Sequence, residues 1–467
     1  MPKSPSKKRT YEGNGQGSPV GKKPRTDLGR YLAERKVGIG SSRENADVPK
    51  GLSVVKIVSV APPKLGQAAY HGVVGDFLRA VTPHTEATDA AVLAHLIPAI
   101  GMYIGPGPCI YAGNYQPARV NTVVVGETSV GRKGTAASPP DELMGLVDGE
   151  LWKSQRVGGL SSGEGLIVKV ADQRDQKGNV IKVEKRLYVV EEEFTRVLAN
   201  MKREGNILSH VIRQAFDSGN LATLTVEPRQ AFGAHIAIVA HVTPEELEQR
   251  FAGIEAANGF GNRFLWFYVA SDKMIPRPKP IPEAIFQKVA PRLRAVGGMK
   301  QRTVDMDSAA EKYWAELYRS LREDRPGLAG AITARGPAIM LRLALIYATL
   351  DRPKRPVIGI DHLEAAKAIW DYNCESADFL FDSPTGDKFG DKLYNLIRSN
   401  ETMSRKGFHR HLSNVQKALL DATLKRLESQ GLICAEKVQT KGRPREVWKI
   451  VGGLQKLSLL PKPWTFR

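Results

Sequence analysis

Cysteine is nearly absent: Cys109, Cys374 and Cys434 stand far apart in a chain of 467 residues. They form no CxxC pair and their number is odd, which argues against a disulfide framework or a zinc ribbon and fits a reducing, cytoplasmic setting. Long apolar runs are missing too. The most apolar stretch, Ala90 to Ile104, is interrupted by His95, Pro98 and Gly101, so no membrane span is expected. The first residues are polar and basic without an apolar core, so they are not expected to act as a secretory signal. Acidic residues are scarce only at the two ends. Residues 1–50 carry 12 basic and 5 acidic side chains, and residues 391–467 carry 16 and 6. The 340 residues between hold 40 and 38, so 17 of the 19 excess positive charges lie in two terminal segments. That pattern excludes a body coated all over with polyanion-binding charge; it describes basic appendages on a near-neutral core.

Residues 1–50 are rich in Lys, Ser, Gly and Pro, with little apolar periodicity, and read as a disordered basic tail. Lys7-Lys8-Arg9 and Lys22-Lys23-Pro24-Arg25 read either as import signals or as a solvated tether for DNA. Residues 51–115 form a helical region, with helices expected over His71–Arg79 and Asp89–Ile100 and Thr88 as an N-cap. Residues 116–280 alternate strand and helix patterns. The runs Val120–Val125, Leu187–Val190 and His235–Ala240 are continuous and apolar, as buried parallel strands are. Four prolines between Pro276 and Pro282 mark a crossing segment. Residues 281–385 return to helical spacing, over Ser308–Arg322, Pro337–Asp351 and Asp361–Phe381.

The most specific local feature follows the first strand: Gly126-Glu-Thr-Ser-Val-Gly131-Arg132-Lys133-Gly134-Thr135. A phosphate loop needs glycines where the backbone turns sharply, a Lys to reach the β/γ-phosphates, a hydroxyl for Mg²⁺ and a helix N-terminus behind. All are present in order. The spacing departs from the usual GxxxxGK[ST], because Arg132 precedes Lys133 and Gly134 precedes Thr135. The second strand runs into Glu191-Glu192-Glu193, carboxylates placed to orient hydrated metal and attacking water; the alternative is an acidic first helical turn. At the third strand end stands His241, either a sensor of the γ-phosphate or a satisfied strand-terminal histidine. Thr243 and Glu246 form a capping box. Arg263, behind a glycine-rich turn, is either an arginine finger or an ordinary ion pair.

These motifs stand in one order along the chain with Gly75–Phe77, Gly159–Leu166, His241–Leu247, Gly261–Leu265 and Arg342–Ala348. Over residues 70–380 the chain resembles a helicase-like P-loop ATPase family of phages, plasmids and mobile elements. That family is primase-associated and described only as a domain of unknown function. The resemblance implies an α/β fold: a RecA-like P-loop NTPase core with a parallel sheet and helical flanking regions. It implies ATP and Mg²⁺ as cofactors, with Gly126, Gly131, Arg132, Lys133, Gly134 and Thr135 holding nucleotide. Thr135 would be on the metal side, with Glu191 or Glu192 as the metal-side acid. Glu192, Glu193 or Glu164 would be the catalytic acid, His241 the sensor and Arg263 the finger. No primase or polymerase module is visible upstream, so a separate primase or polymerase partner is expected.

Residues 386–452 read as a C-terminal winged helix-turn-helix, followed by a tail over 453–467. Three helical patterns precede two β-like pieces joined by a basic tip. Arg405, Lys406, Arg410, Lys417 and Lys425 could face phosphates, with Lys441, Arg443 and Arg445 on the wing; the alternative is a protein contact module. The expected function is an ATP-dependent DNA helicase or translocase, a ring-forming homo-oligomer such as a hexamer, acting on single-stranded or forked DNA. The competing expectation is a nucleotide-switched replication initiator or adaptor without processive motor activity.

Overall fold

The computed structural model describes residues 62–451, apart from 178, 225–227, 252–258, 326, 382–387, 413–414, 430 and 440–443. The tail over 1–50 with its two basic clusters, the tail over 453–467, and Lys441 and Arg443 of the wing lie outside the described residues.

Five parallel strands form the central sheet: β1 (Thr122–Val125), β2 (Arg156–Val157), β3 (Arg186–Glu191), β4 (His235–Val242) and β5 (Leu265–Tyr268). Their order across the sheet is 5-1-4-3-2. In register, Val124 faces His241 on one side and Phe267 on the other, and Ala240 faces Glu191. Every residue of β1 and β4 is buried, as a parallel sheet covered on both faces requires. Alternation divides the side chains. Val124, Ala237 and Val239 join a core with the Asp89–Ile104 and Lys133–Val147 helices. Val123, Val125, Ile238 and Ala240 join a second core with the Gly163–Val170, Phe194–Met201, Leu208–Asp217 and Pro244–Arg250 helices. This mixed α/β architecture is compatible with a Rossmann- or RecA-like core.

Local chemistry sets the element ends. The Thr88 hydroxyl accepts from Ala91 N, so the first long helix starts where its cap was expected, and its apolar pattern carries it to Ile104. Thr243 and Glu246 form the reciprocal capping box at the head of the Pro244–Arg250 helix. Two strands of this sheet escaped the sequence pattern. Arg156–Val157 is too short to show alternation, and Leu-Trp-Phe-Tyr over β5 lacks the β-branched signature. The outer edge of β5 is closed by the Ile360–Phe381 helix. Asn373 Oδ1 accepts from Trp266 N at 2.7 Å, and Ser376 Oγ from Tyr268 N at 3.1 Å, so side chains replace a sixth strand. Among the described residues, no helix is long and apolar enough to cross a membrane.

The C-terminal unit holds the Lys388–Ser399, Arg405–His411 and Lys417–Ser429 helices. It also has three antiparallel strands, β6 (Thr402–Ser404), β7 (Ile433–Val438) and β8 (Arg445–Ile450), ordered 6-8-7. The hairpin therefore gains a third strand that three residues could not announce. Gly431, at φ +70°, ends the last helix as its C′ residue. Leu393, Ile397, Phe408, Leu424, Leu427 and Trp448 share a small core of their own.

Candidate functional site

Because all five strands run the same way, their C-terminal ends lie on one edge of the sheet. The connection leaving β1 passes over one face towards β2, and that leaving β4 passes over the other face towards β5. Adjacent β1 and β4 thus form a topological switch point, where open α/β sheets leave a crevice for ligands. The glycine-rich loop of residues 126–132 stands over it.

The loop is tightly turned. A Cβ on Gly126 would lie 2.5 Å from the carbonyl oxygen of Val269, so glycine is required there by close approach. Gly131 N donates to Glu127 O at 2.9 Å, and Gly126 N donates to Val242 O at 3.2 Å, tying the loop to the end of β4. Ser129 (φ +67°) and Arg132 (φ +45°) are left-handed without being glycine, a cost of roughly 1 kcal/mol each. Left-handed Arg132 leads straight into helical Lys133, so successive N–H groups turn towards one side, as in anion-binding nests. Thr135 and Gly134 are exposed in the first helical turn, and nothing crowds Gly134.

Lys133 turns back to donate to the carbonyl of Gly126. Burial lowers its pKa, while Glu246, Glu127 and Glu245 act in the opposite sense. Glu127 is itself pushed up by burial and by a carboxyl contact with Glu245. Three acids thus surround the loop lysine. Glu127 is the second residue of the glycine-rich loop, and Glu245 follows the strand-end histidine; their convergence is a tertiary fact. Arg132 points elsewhere, into an ion pair with Glu86 at 2.8 Å.

His241 is buried at the end of β4, where Lys133 acts on it electrostatically. Its Nε2 lies 2.8 Å from Nε2 of His95. The carbonyl of Ala91 can only accept, so Nδ1 of His95 carries the proton donated to it, and Nε2 of neutral His95 is an acceptor. His241 therefore donates through Nε2 and keeps Nδ1 as an acceptor. Burial drives His95 down to about 4 and His241 to about 3, so both rings are neutral at pH 7. Nothing in the sequence links residues 146 positions apart.

Glu191 is different from its neighbours. It is buried, burial raises its pKa, and Oε1 accepts from Leu160 N at 2.6 Å. Asn200 holds the Leu160 carbonyl and Asn206 that of Ser161, so the loop before the Gly163–Val170 helix is stapled to β3. One oxygen of the expected metal-side acid is thus committed to positioning a loop. That loop carries Glu164 in the first turn after the Ser162 cap. Glu192 and Glu193 are exposed on the same edge and free of that duty. With β4 between them, β1 and β3 stand two strand spacings apart, about 10 Å.

Arg263 does not join them. It precedes β5, at the opposite end of the sheet, and its guanidinium meets Asp217 Oδ2 at 2.6 Å. Arg335 pairs with the same carboxylate at 2.9 Å. Within this chain the ion-pair alternative is the one observed. In the C-terminal unit Arg405 is likewise occupied: it pairs with Asp421 and Glu446 and lies 5.0 Å over the ring of Trp448. These ion pairs compete with its expected role on phosphates, while its side chain stays 44% exposed. Lys406, Arg410, Lys417, Lys425 and Arg445 are exposed.

Comparison of the chain with models of known protein families and with curated proteins finds no match.

Proposed function

We propose that this chain is an ATP-hydrolysing motor acting on DNA, with a RecA-like core and a winged-helix DNA-binding unit at its C-terminal end. The observation that carries the reading is the convergence at the β1–β4 switch point. There a strained glycine-rich loop, a half-buried lysine at a helix start and strand-end carboxylates meet on one edge.

MgATP supplies the anhydride bond and the cation that screens its charge. The N–H groups of residues 131–133 and Lys133 would receive the β- and γ-phosphates, and Thr135 would face the metal. Lys133 would exchange its bond to the Gly126 carbonyl for phosphate oxygens, a stronger charge-assisted contact. Glu192, Glu193 or Glu164 would orient the attacking water. His241, neutral and held by His95, would offer Nδ1 as an acceptor on the γ-phosphate side, so that it reads a water or a protonated oxygen rather than bare charge. The exposed cations of the C-terminal unit support a grip on phosphodiester backbone without base specificity.

The test is ATP turnover with and without single-stranded DNA. Lys133→Ala is expected to abolish DNA-stimulated hydrolysis; unimpaired turnover refutes the site. Turnover that DNA leaves unchanged refutes the motor in favour of a nucleotide-switched adaptor.

A further inference from the structure

On the β5 side of the glycine-rich loop, away from the strand-end acids, a cavity of ≈ 420 Å³ opens between Thr82, Pro83, Asp89, Lys273, Met274 and Ile275. We propose that it receives the base of the nucleoside triphosphate whose phosphates the loop holds, an inference that rests on the nucleotide reading above.

Four bonds make the cavity wall and the loop one piece. Ser271 N donates to Val130 O at 3.2 Å, and the Ser271 hydroxyl donates to the carbonyl of Glu86. The Glu86 carboxylate takes Arg132 of the loop on Oε2 at 2.8 Å and Ile275 N of the cavity wall on Oε1 at 2.8 Å. Glu86 therefore sets the distance between phosphate and base positions.

Direction follows from charge. An extended nucleotide that places its γ-phosphate towards Glu164, Glu192 and Glu193 must send its base the other way along the sheet edge, towards β5. The lining has the composition a base needs. Met274 is 85% exposed at the mouth, an apolar side chain with nothing over it, and Pro83 is also exposed. A thioether and a proline ring are suitable faces for an aromatic base. Behind them stand an acceptor and a donor: Asp89, which also takes the Tyr70 hydroxyl, and Lys273, whose Nζ is 3.9 Å from Asp89 and donates to the carbonyls of Thr82 and Ala87. Such a pair can address the hydrogen-bonding edge of the base.

Calorimetry on the full chain with MgATP and with magnesium tripolyphosphate separates base from phosphate. The wild type should bind MgATP at least about tenfold more tightly, a difference of roughly 1.4 kcal/mol. Pro83→Trp, a change at an exposed position that fills the cavity, should bring ATP down to the tripolyphosphate level and leave tripolyphosphate unchanged. Met274→Ala should weaken ATP alone by a smaller factor. Lys133→Ala should weaken both ligands. Undiminished ATP affinity in Pro83→Trp, or equal binding of the two ligands by the wild type, overturns the base site while leaving the phosphate loop standing. Failure of the wild type to bind either ligand overturns both.

Discussion

Lowering the pH from 7.5 to 5 should remove a large share of this fold's stability through three buried histidines. Burial opposes a second proton on His95, His235 and His241. Their pKa values fall to about 4, 3 and 3 from an ordinary 6.5, in each case chiefly by burial. His235 shows why. Its Nε2 donates to the Gly101 carbonyl at 2.9 Å, and its buried Nδ1 has no partner. A proton placed there would find no acceptor and would face Arg119 and Arg342. In the window between the folded values and 6.5, the unfolded chain binds more protons than the native one. Stability therefore falls as pH falls, by about 1.4 kcal/mol per pH unit per ring. Between pH 7.5 and 5 each ring costs about 2 kcal/mol and the three together about 6 kcal/mol, against a total of roughly 5–15 kcal/mol for a folded domain. Urea unfolding of the core, followed by tryptophan fluorescence at pH 7.5, 6.5, 5.5 and 5.0, measures the slope. His235→Gln, which keeps a donor for Gly101 but does not titrate, should remove about one third of it. A wild-type stability that stays level from pH 7.5 to 5 refutes the argument.

Other expectations follow from single side chains. Arg342 is fully buried, bonded to Gln116 Oε1 and to the carbonyls of Arg119 and Phe216, and lies 3.9 Å over the Phe216 ring. Arg342→Ala leaves Gln116 Oε1 and the Arg119 carbonyl without that donor, while Phe216 O keeps Arg119 Nε at 3.0 Å, and should cost about 3–5 kcal/mol, read as a lowered denaturation midpoint. Glu191→Ala should release the stapled loop, so that proteolytic cleavage near Leu160 rises together with any loss of turnover; loss of turnover with an unchanged digestion pattern would assign Glu191 a direct chemical role instead. In the C-terminal unit Arg410→Ala should weaken DNA binding and reduce its salt slope by about one. Arg405→Ala should instead lower stability with the slope unchanged, and the reverse result would return Arg405 to the DNA-facing set.

Local pattern was enough for much of this molecule. The apolar runs at Val120–Val125, Leu187–Val190 and His235–Ala240 are buried strands because a parallel sheet covered on both faces admits nothing else, and periodicity of that kind is readable residue by residue. Thr88 and the Thr243–Glu246 box announced helix starts because caps act over three or four positions. The loop from Gly126 to Thr135 and the acids after β3 were likewise visible, since each is contiguous. What the chain could not announce is which side chain meets which across long separations. Its pattern left open whether Arg263 was a finger or an ion pair, and the pair with Asp217 forms only once the Leu208–Asp217 helix has been folded beside it. It could not separate Glu191, committed to the backbone at Leu160, from Glu192 and Glu193 next door, because the difference is the face of the sheet edge to which each points. Nor could it join His95 to His241, Glu127 to Glu245, or Glu86 to both Arg132 and Ile275. Those pairings are set by strand order and helix packing, which bring together segments whose local sequences carry no record of one another.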